Sequence, residues 1–203
     1  MTPSQEHTLA VIGLVTCWGA FALTWIVGAY YNALRGPEKR SGTPFVSAIF
    51  FGGWVVWMIA RFTPHSDWRA LTLDAAWVRV LGLVLLAGFT GFTLWARLVL
   101  GTMWSAAPTV KEGHRLRTDG PYGVTRHPIY TGILGMMLGT TLLLGAGPWV
   151  LLFPIGLVIL EVKIHVEERL MLAAFPDDYP GYRRRVPQLV PGARLLRKER
   201  IVG

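Results

Sequence analysis

The sequence predicts an all-α membrane protein. It reads as a polytopic bundle of five transmembrane helices, with the N-terminus outside, the C-terminus cytoplasmic, and the last two spans forming a tight helical hairpin. Three observations carry this. The charges are segregated from long apolar runs. Glycine and proline break one run that is too long for a single helix. Lysine and arginine alternate in density from loop to loop. With 52% hydrophobic and 16% charged residues, the chain also departs from soluble domains, which carry about 25% charged residues.

Span 1 is read from Leu9–Tyr31, 23 residues without a charge. Span 2 comes from the 16 uncharged residues 45–60, and span 3 from the 17 uncharged residues 80–96. A helix crossing a bilayer needs about 20 mostly apolar residues. The run 129–160 has 32 uncharged residues, and Gly145-Ala146-Gly147-Pro148 divides it, because these residues punctuate helices. Two helices joined by so short a turn must run antiparallel. Sixteen of the 20 Lys and Arg fall on one side of this topology and three on the other; the rich side is cytoplasmic by the positive-inside rule. Residues 1–8 have no Lys or Arg, so a cleaved signal peptide is not expected.

The net charge of +8 is explained by basic residues facing anionic lipid. No nucleic-acid motif accompanies it, so no nucleic-acid partner is expected. Cys17 is the single cysteine and is read as a packing residue. Gly13, Cys17, Ala20, Thr24 and Gly28 share one face of span 1, and Gly132, Gly135 and Gly139 share one face of span 4. Such small stripes let membrane helices approach, with cofactor approach as the lesser alternative at Gly132. Trp25, Tyr30, Tyr31, Trp54 and Trp57 are read as interface aromatics. The connection 105–128 is polar and long enough to suggest function. The segment from Leu172 is rich in Pro, Tyr and Arg and should lie on the inner surface.

Polar side chains near lipid are costly and therefore candidates for function. Two clusters stand out. The stretch GPYGVTRHPIYTG, 120–132, sets Arg126, His127 and Tyr130 around Pro128. Pro128 suits the first turn of a helix, which puts His127 at the helix entrance beside backbone N–H donors, a setting that favours anions. The second cluster, Lys163, His165, Glu167, Glu168 and Arg169, ends the next helix. The antiparallel hairpin should bring His127 and Tyr130 to Lys163 and Glu167, which are four residues apart and share a face. Glu167 could hold an ammonium, the helix entrance a carboxylate, and the tyrosine rings a sulfonium through cation–π attraction. A ligand with all three groups is S-adenosylmethionine. The competing readings are a solvated pair of glutamates and a metal site at Glu161, His165 and Glu168. A single His makes the latter weak, and no metal is expected.

LGTMWS at 100–105, EGHRLRTDGPYGVTRHPIYTG at 112–132 and EERLMLAAFPDDYPGYRRRVPQLVP at 167–191, in this order and spacing, resemble the isoprenylcysteine carboxyl methyltransferase family of integral membrane methyltransferases. The resemblance covers the C-terminal half. The chain is read as residues 1–104, holding transmembrane helices 1–3, and 105–203, a methyltransferase core with a cytoplasmic cofactor loop, the hairpin 128–171 and a C-terminal cytoplasmic segment. The resemblance implies cofactor contacts from His114, Arg115, Leu116, Arg117, Tyr122, His127, Pro128, Ile129, Tyr130 and Glu167. Arg126, Glu168 and Tyr179 are secondary candidates. The family commonly has Arg one helical turn before the glutamate, contacting substrate; here it is Lys163, a point charge in place of a bidentate fork.

The expected function is membrane-embedded transfer of a methyl group from S-adenosylmethionine to a lipophilic or small acceptor: an isoprenylcysteine-like carboxylate, a thiol or a lipid amine. No acid–base residue is assigned. The alternatives are an NADPH-dependent sterol or enone reductase, which shares an RHP-like motif, and a non-catalytic membrane scaffold.

Overall fold

A computed structural model describes residues 3–33, 45–101 and 116–190. Seven α-helices make up the described chain: α1 (Pro3–Ala33), α2 (Phe45–Phe62), α3 (Ala76–Leu100), α4 (Pro121–Val124), α5 (Pro128–Leu143), α6 (Leu152–Ala174) and α7 (Tyr179–Arg185). Short 3-10 turns at His65–Leu71 and Gly147–Leu151 precede α3 and α6. Among the described residues, Gln5–Gly28, Ala76–Leu100 and Gly147–Ala174 are long and apolar enough to cross a membrane. Phe51–Phe62 and Pro128–Leu143, where two further spans are expected, form shorter apolar helices.

The bundle is organised around α5, which packs along α3 on one side and α6 on the other. Nearly every residue of α5 is buried. Its glycines explain how α3 comes so close. A Cβ at Gly132 would meet the Thr93 side chain, one at Gly135 the Phe89 ring, and one at Gly139 the backbone of Leu86. Gly82 of α3 reciprocates against the backbone of Gly139 and Leu143. The glycines thus serve backbone-to-backbone packing, and at Gly132 the space is taken by α3.

The predicted small face of α1 also packs. Cys17 is buried, Gly13 faces Leu83 of α3, and Gly28 faces the Arg97 guanidinium. Trp18 Nε1 donates to Thr140 Oγ1 of α5 at 3.0 Å. Trp25 departs from the expected interface role: it is buried and stacked on Phe21 at 4.2 Å between centroids. Phe21 supplies a ring face inside the bundle, whereas Tyr30, Trp54 and Trp57 remain exposed.

The α5–α6 hairpin is closed by backbone geometry. Gly145, Ala146 and Gly147 have φ of +79°, +60° and +58°, in the left-handed region that costs an L-residue about 1–2 kcal/mol. Ala146 donates its N–H to Thr141 O at 2.8 Å, and Leu73 donates to Gly145 O at 2.9 Å. Residues 62–76, between α2 and α3, contain the 3-10 turn that braces this closure. The connection 105–128 likewise contains α4.

Candidate functional site

At the open end of the hairpin, the start of α5 meets the end of α6. His127 is the N-cap of α5, with Pro128 in its first turn. Proline has no N–H to leave unbonded and its fixed φ suits this position. Tyr130, one turn into α5, donates its hydroxyl to Glu167 Oε1 at 2.5 Å. Lys163 Nζ lies 3.3 Å from the same oxygen. His127 Nδ1 is 3.7 Å from Glu167 Oε2. The His127 and Tyr130 rings are stacked, with centroids 5.6 Å apart and planes inclined by 11°. The four residues expected to meet therefore do meet, around a Glu167 side chain that is 23% exposed.

Glu168 faces another way, because successive helical residues project about 100° apart. Its Oε1 accepts from Arg126 Nε at 2.9 Å and Nη2 at 2.6 Å. Both side chains are almost wholly buried. Arg126 Nη1 also donates to the carbonyls of Arg183, at 3.1 Å, and Val186, at 2.7 Å. Arg183 Nε lies 3.3 Å from Glu168 Oε2. His127 Nε2 is 3.5 Å from Glu168 Oε1, long for a hydrogen bond. Arg126 and Glu168, secondary candidates from the sequence, thus form the inner wall of the site.

The chain after α7 lies against the start of α5. Arg126 N–H donates to Pro187 O at 2.8 Å, and His127 N–H to Gln188 O at 3.2 Å. Thr125 Oγ1 donates to Gln188 O at 2.6 Å and Thr131 Oγ1 to Leu189 O at 2.7 Å. Gln188 Nε2 reaches both Glu161 carboxylate oxygens, at 3.0 and 2.9 Å. The N–H groups of Arg126 and His127, just ahead of the α5 first turn, are thus taken by carbonyls of the C-terminal segment. Thr125 and Thr131 were not foreseen, since their partners are carbonyls that any residue could supply, and Gln188 was not, since its partner Glu161 lies 27 residues away on α6.

Three buried phenols brace the same region. Tyr182 donates its hydroxyl to Tyr122 O at 2.7 Å, and Tyr179 packs edge-on to Tyr182 at 5.9 Å. Burial, then the nearby Glu168 charge, pushes the Tyr179 hydroxyl up to about 12, against the opposing pull of Arg126 and Arg183. Burial foremost, then the Tyr182 and Glu167 neighbours, raises Tyr122, while Arg97 and Arg117 oppose. Tyr182 is raised by burial and by Tyr179. All three are neutral at ordinary pH, as packing and hydrogen-bonding groups.

The remaining candidates are dispersed. Leu116 packs against the cluster of Tyr179, Tyr182 and Val186. Arg117 Nη1 lies 3.5 Å from Asp119. Pro128 and Ile129 are buried in the first turn of α5. His114 and Arg115 lie outside the described residues. Glu161, His165 and Glu168 share a helix stripe but no common centre: His165 is exposed, while Glu168 is committed to Arg126.

The chemistry available is a partly exposed carboxylate flanked by a cation, a phenol and two parallel aromatic faces. That donor set fits an ammonium beside a sulfonium. A family model described as phospholipid methyltransferase matches residues 77–178, half of the chain. A protein-S-isoprenylcysteine O-methyltransferase of Schizosaccharomyces pombe is 40% identical over 81 residues, covering 39% of this chain and 34% of that protein. The cobalt-zinc-cadmium resistance protein CzcN of Cupriavidus metallidurans is 33% identical over 140 residues, covering 66% of this chain and 58% of that one. The chain therefore spans about a third to three-fifths of the length of these relatives. The solved structure of a eukaryotic intramembrane Ras methyltransferase, ICMT, superposes with a TM-score of 0.56 at 19% identity, covering 89% of this chain and 68% of that one. It is a likeness of fold.

Proposed function

Because the chain belongs to the phospholipid methyltransferase family, we propose that it transfers a methyl group from S-adenosylmethionine to a lipophilic or small acceptor at the cytoplasmic membrane face. The carrying observation is the convergence of Tyr130, His127 and Lys163 on Glu167. Five spans with the C-terminus inside would put this convergence at the cytoplasmic boundary; the Lys and Arg bias supports that orientation.

Glu167 would hold the amino group of the methyl donor. Tyr130 and His127 would present ring faces to its sulfonium. When bound, S-adenosylmethionine supplies an electrophilic methyl carbon. Lys163 would orient the acceptor; its charge suits an anionic nucleophile such as a carboxylate or thiolate. The packed α3–α5–α6 core excludes water from the apolar side of Glu167 and holds the reacting groups in order. No residue needs to take a proton from an already ionised acceptor.

Isothermal titration of the purified protein with S-adenosylhomocysteine and, separately, NADPH tests this reading. Saturable binding of S-adenosylhomocysteine is expected. Binding of NADPH alone would transfer the site to reductase chemistry, and binding of neither would leave a scaffold. A methyl-transfer screen over prenyl thiols, alkyl thiols and aminolipids then identifies the acceptor class.

A further inference from the structure

The two halves of the site carry adjacent residues with divided tasks. At the start of α5, His127 lies between the two carboxylates, 3.7 Å from Glu167 and 3.5 Å from Glu168, while Arg126 is bonded to Glu168. On α6, Glu167 meets Tyr130 and Lys163 while Glu168 meets Arg126 and Arg183. A buried ion pair thus sits one residue away from each ligand-facing group. Every Arg126 nitrogen has a protein oxygen partner: Nε and Nη2 share Glu168, and Nη1 bridges the Arg183 and Val186 carbonyls. With its side chain 6% exposed, Arg126 is turned toward protein oxygens rather than toward the opening beside Glu167. The C-terminal segment then fixes the backbone on both sides of it, through Thr125, Arg126, His127 and Thr131 to the carbonyls of residues 187–189. This strap lies beyond the family match, which ends at residue 178.

Building on the methyltransferase reading, we propose that Arg126 and Glu168 are positioning residues. Their ion pair, locked by the strap at 183–189, sets the spacing between His127 at the start of α5 and Glu167 on α6, and so the geometry of the cofactor half-site. Neither contacts the cofactor or the acceptor. A lysine at position 126 would keep the charge but lose the fork that joins Glu168 to two carbonyls. Gln188 acts in the same direction from outside, because it ties the strap to Glu161 of α6.

The test compares the parent with Arg126→Lys, with the neutral pair Arg126→Gln/Glu168→Gln, and with Gln188→Ala. Each is measured for melting temperature, KM for S-adenosylmethionine, KM for the acceptor, and kcat. The neutral pair avoids leaving one buried charge alone. Arg126→Lys and the neutral pair are expected to raise the cofactor KM about tenfold and to lower kcat, with acceptor KM unchanged. Gln188→Ala is expected to shift the same two parameters about threefold with the melting temperature retained. If the first two variants do not fold, the Gln188→Ala outcome decides. Parental cofactor KM and kcat in folded variants would overturn the proposal, since a purely structural pair changes only the melting temperature. A rise confined to acceptor KM would also overturn it, by making these substrate residues. Failure of the parent itself to bind S-adenosylhomocysteine would instead strike the methyltransferase reading.

Discussion

The two ends of the α5–α6 hairpin are held by different physics. The closed end, 144–147, is a backbone object: three consecutive positive φ values, a 2.8 Å bond from Ala146 to Thr141 and a brace from Leu73. No charged side chain takes part. The open end is a side-chain object. It has no turn to join its helices, and it is held by Arg126 on Glu168, Tyr130 on Glu167 and the strap after α7. The closed end needs only local chain chemistry. The open end needs polar groups whose burial is costly unless every partner is present. That makes it the natural place for a ligand to exchange partners, and the less forgiving place for substitution.

Breaking the open end hardest is Glu168→Ala, which leaves the Arg126 guanidinium buried without its carboxylate. A loss of about 3–5 kcal/mol is expected, read as a fall in melting temperature of the detergent-solubilised protein. An unchanged melting temperature would erase the contrast between the ends. Next, Glu167→Gln should weaken S-adenosylhomocysteine binding about tenfold, roughly 1.4 kcal/mol, while the fold survives. Titration that returns the parental affinity would remove Glu167 from its ammonium role.

At the closed end, Gly147→Ala would bring its Cβ into ordinary van der Waals contact with Thr72 and Trp68, so only the φ of +58° opposes it. A cost of about 1 kcal/mol with kinetics unaltered is the expectation, checked by melting and by kcat at 25 °C. A large loss of activity would mean that strain at the turn is transmitted to the site. The smallest effect should come from Lys163→Ala. Its ammonium neutralises Glu167 at 3.3 Å, so removing it should not weaken cofactor binding. The acceptor KM should instead rise about threefold, or roughly 0.7 kcal/mol. Equal loss of both would put Lys163 in the wrong role.

Much of the closed end was legible beforehand. Gly145-Ala146-Gly147-Pro148 marked the turn, and antiparallel pairing of the flanking helices followed. From that, the meeting of His127 and Tyr130 with Lys163 and Glu167 could be drawn without coordinates. The small stripes on α1 and α5 were legible as packing faces for a similar reason: period and residue size are enough. What could not be read was direction. Trp25 carries the composition of an interface aromatic, yet Phe21 draws it inward. Glu167 and Glu168 are the same residue type side by side, and only the position of Arg126 distinguishes the one left partly exposed beside Tyr130 and Lys163 from the one that holds the wall.

The sequence by itself determined an apolar helical bundle, its hairpin and the helix ends where charge collects. These follow from local hydrophobicity, Gly and Pro placement and the 1.5 Å rise of a helix. Only the tertiary structure decided that α5 is the buried axis, and that the Arg126 and His127 N–H groups are given to the C-terminal strap. Those choices depend on carbonyls and packing surfaces supplied by distant residues. A backbone carbonyl has no signature in the sequence, so a bond to one is invisible until the chain has folded.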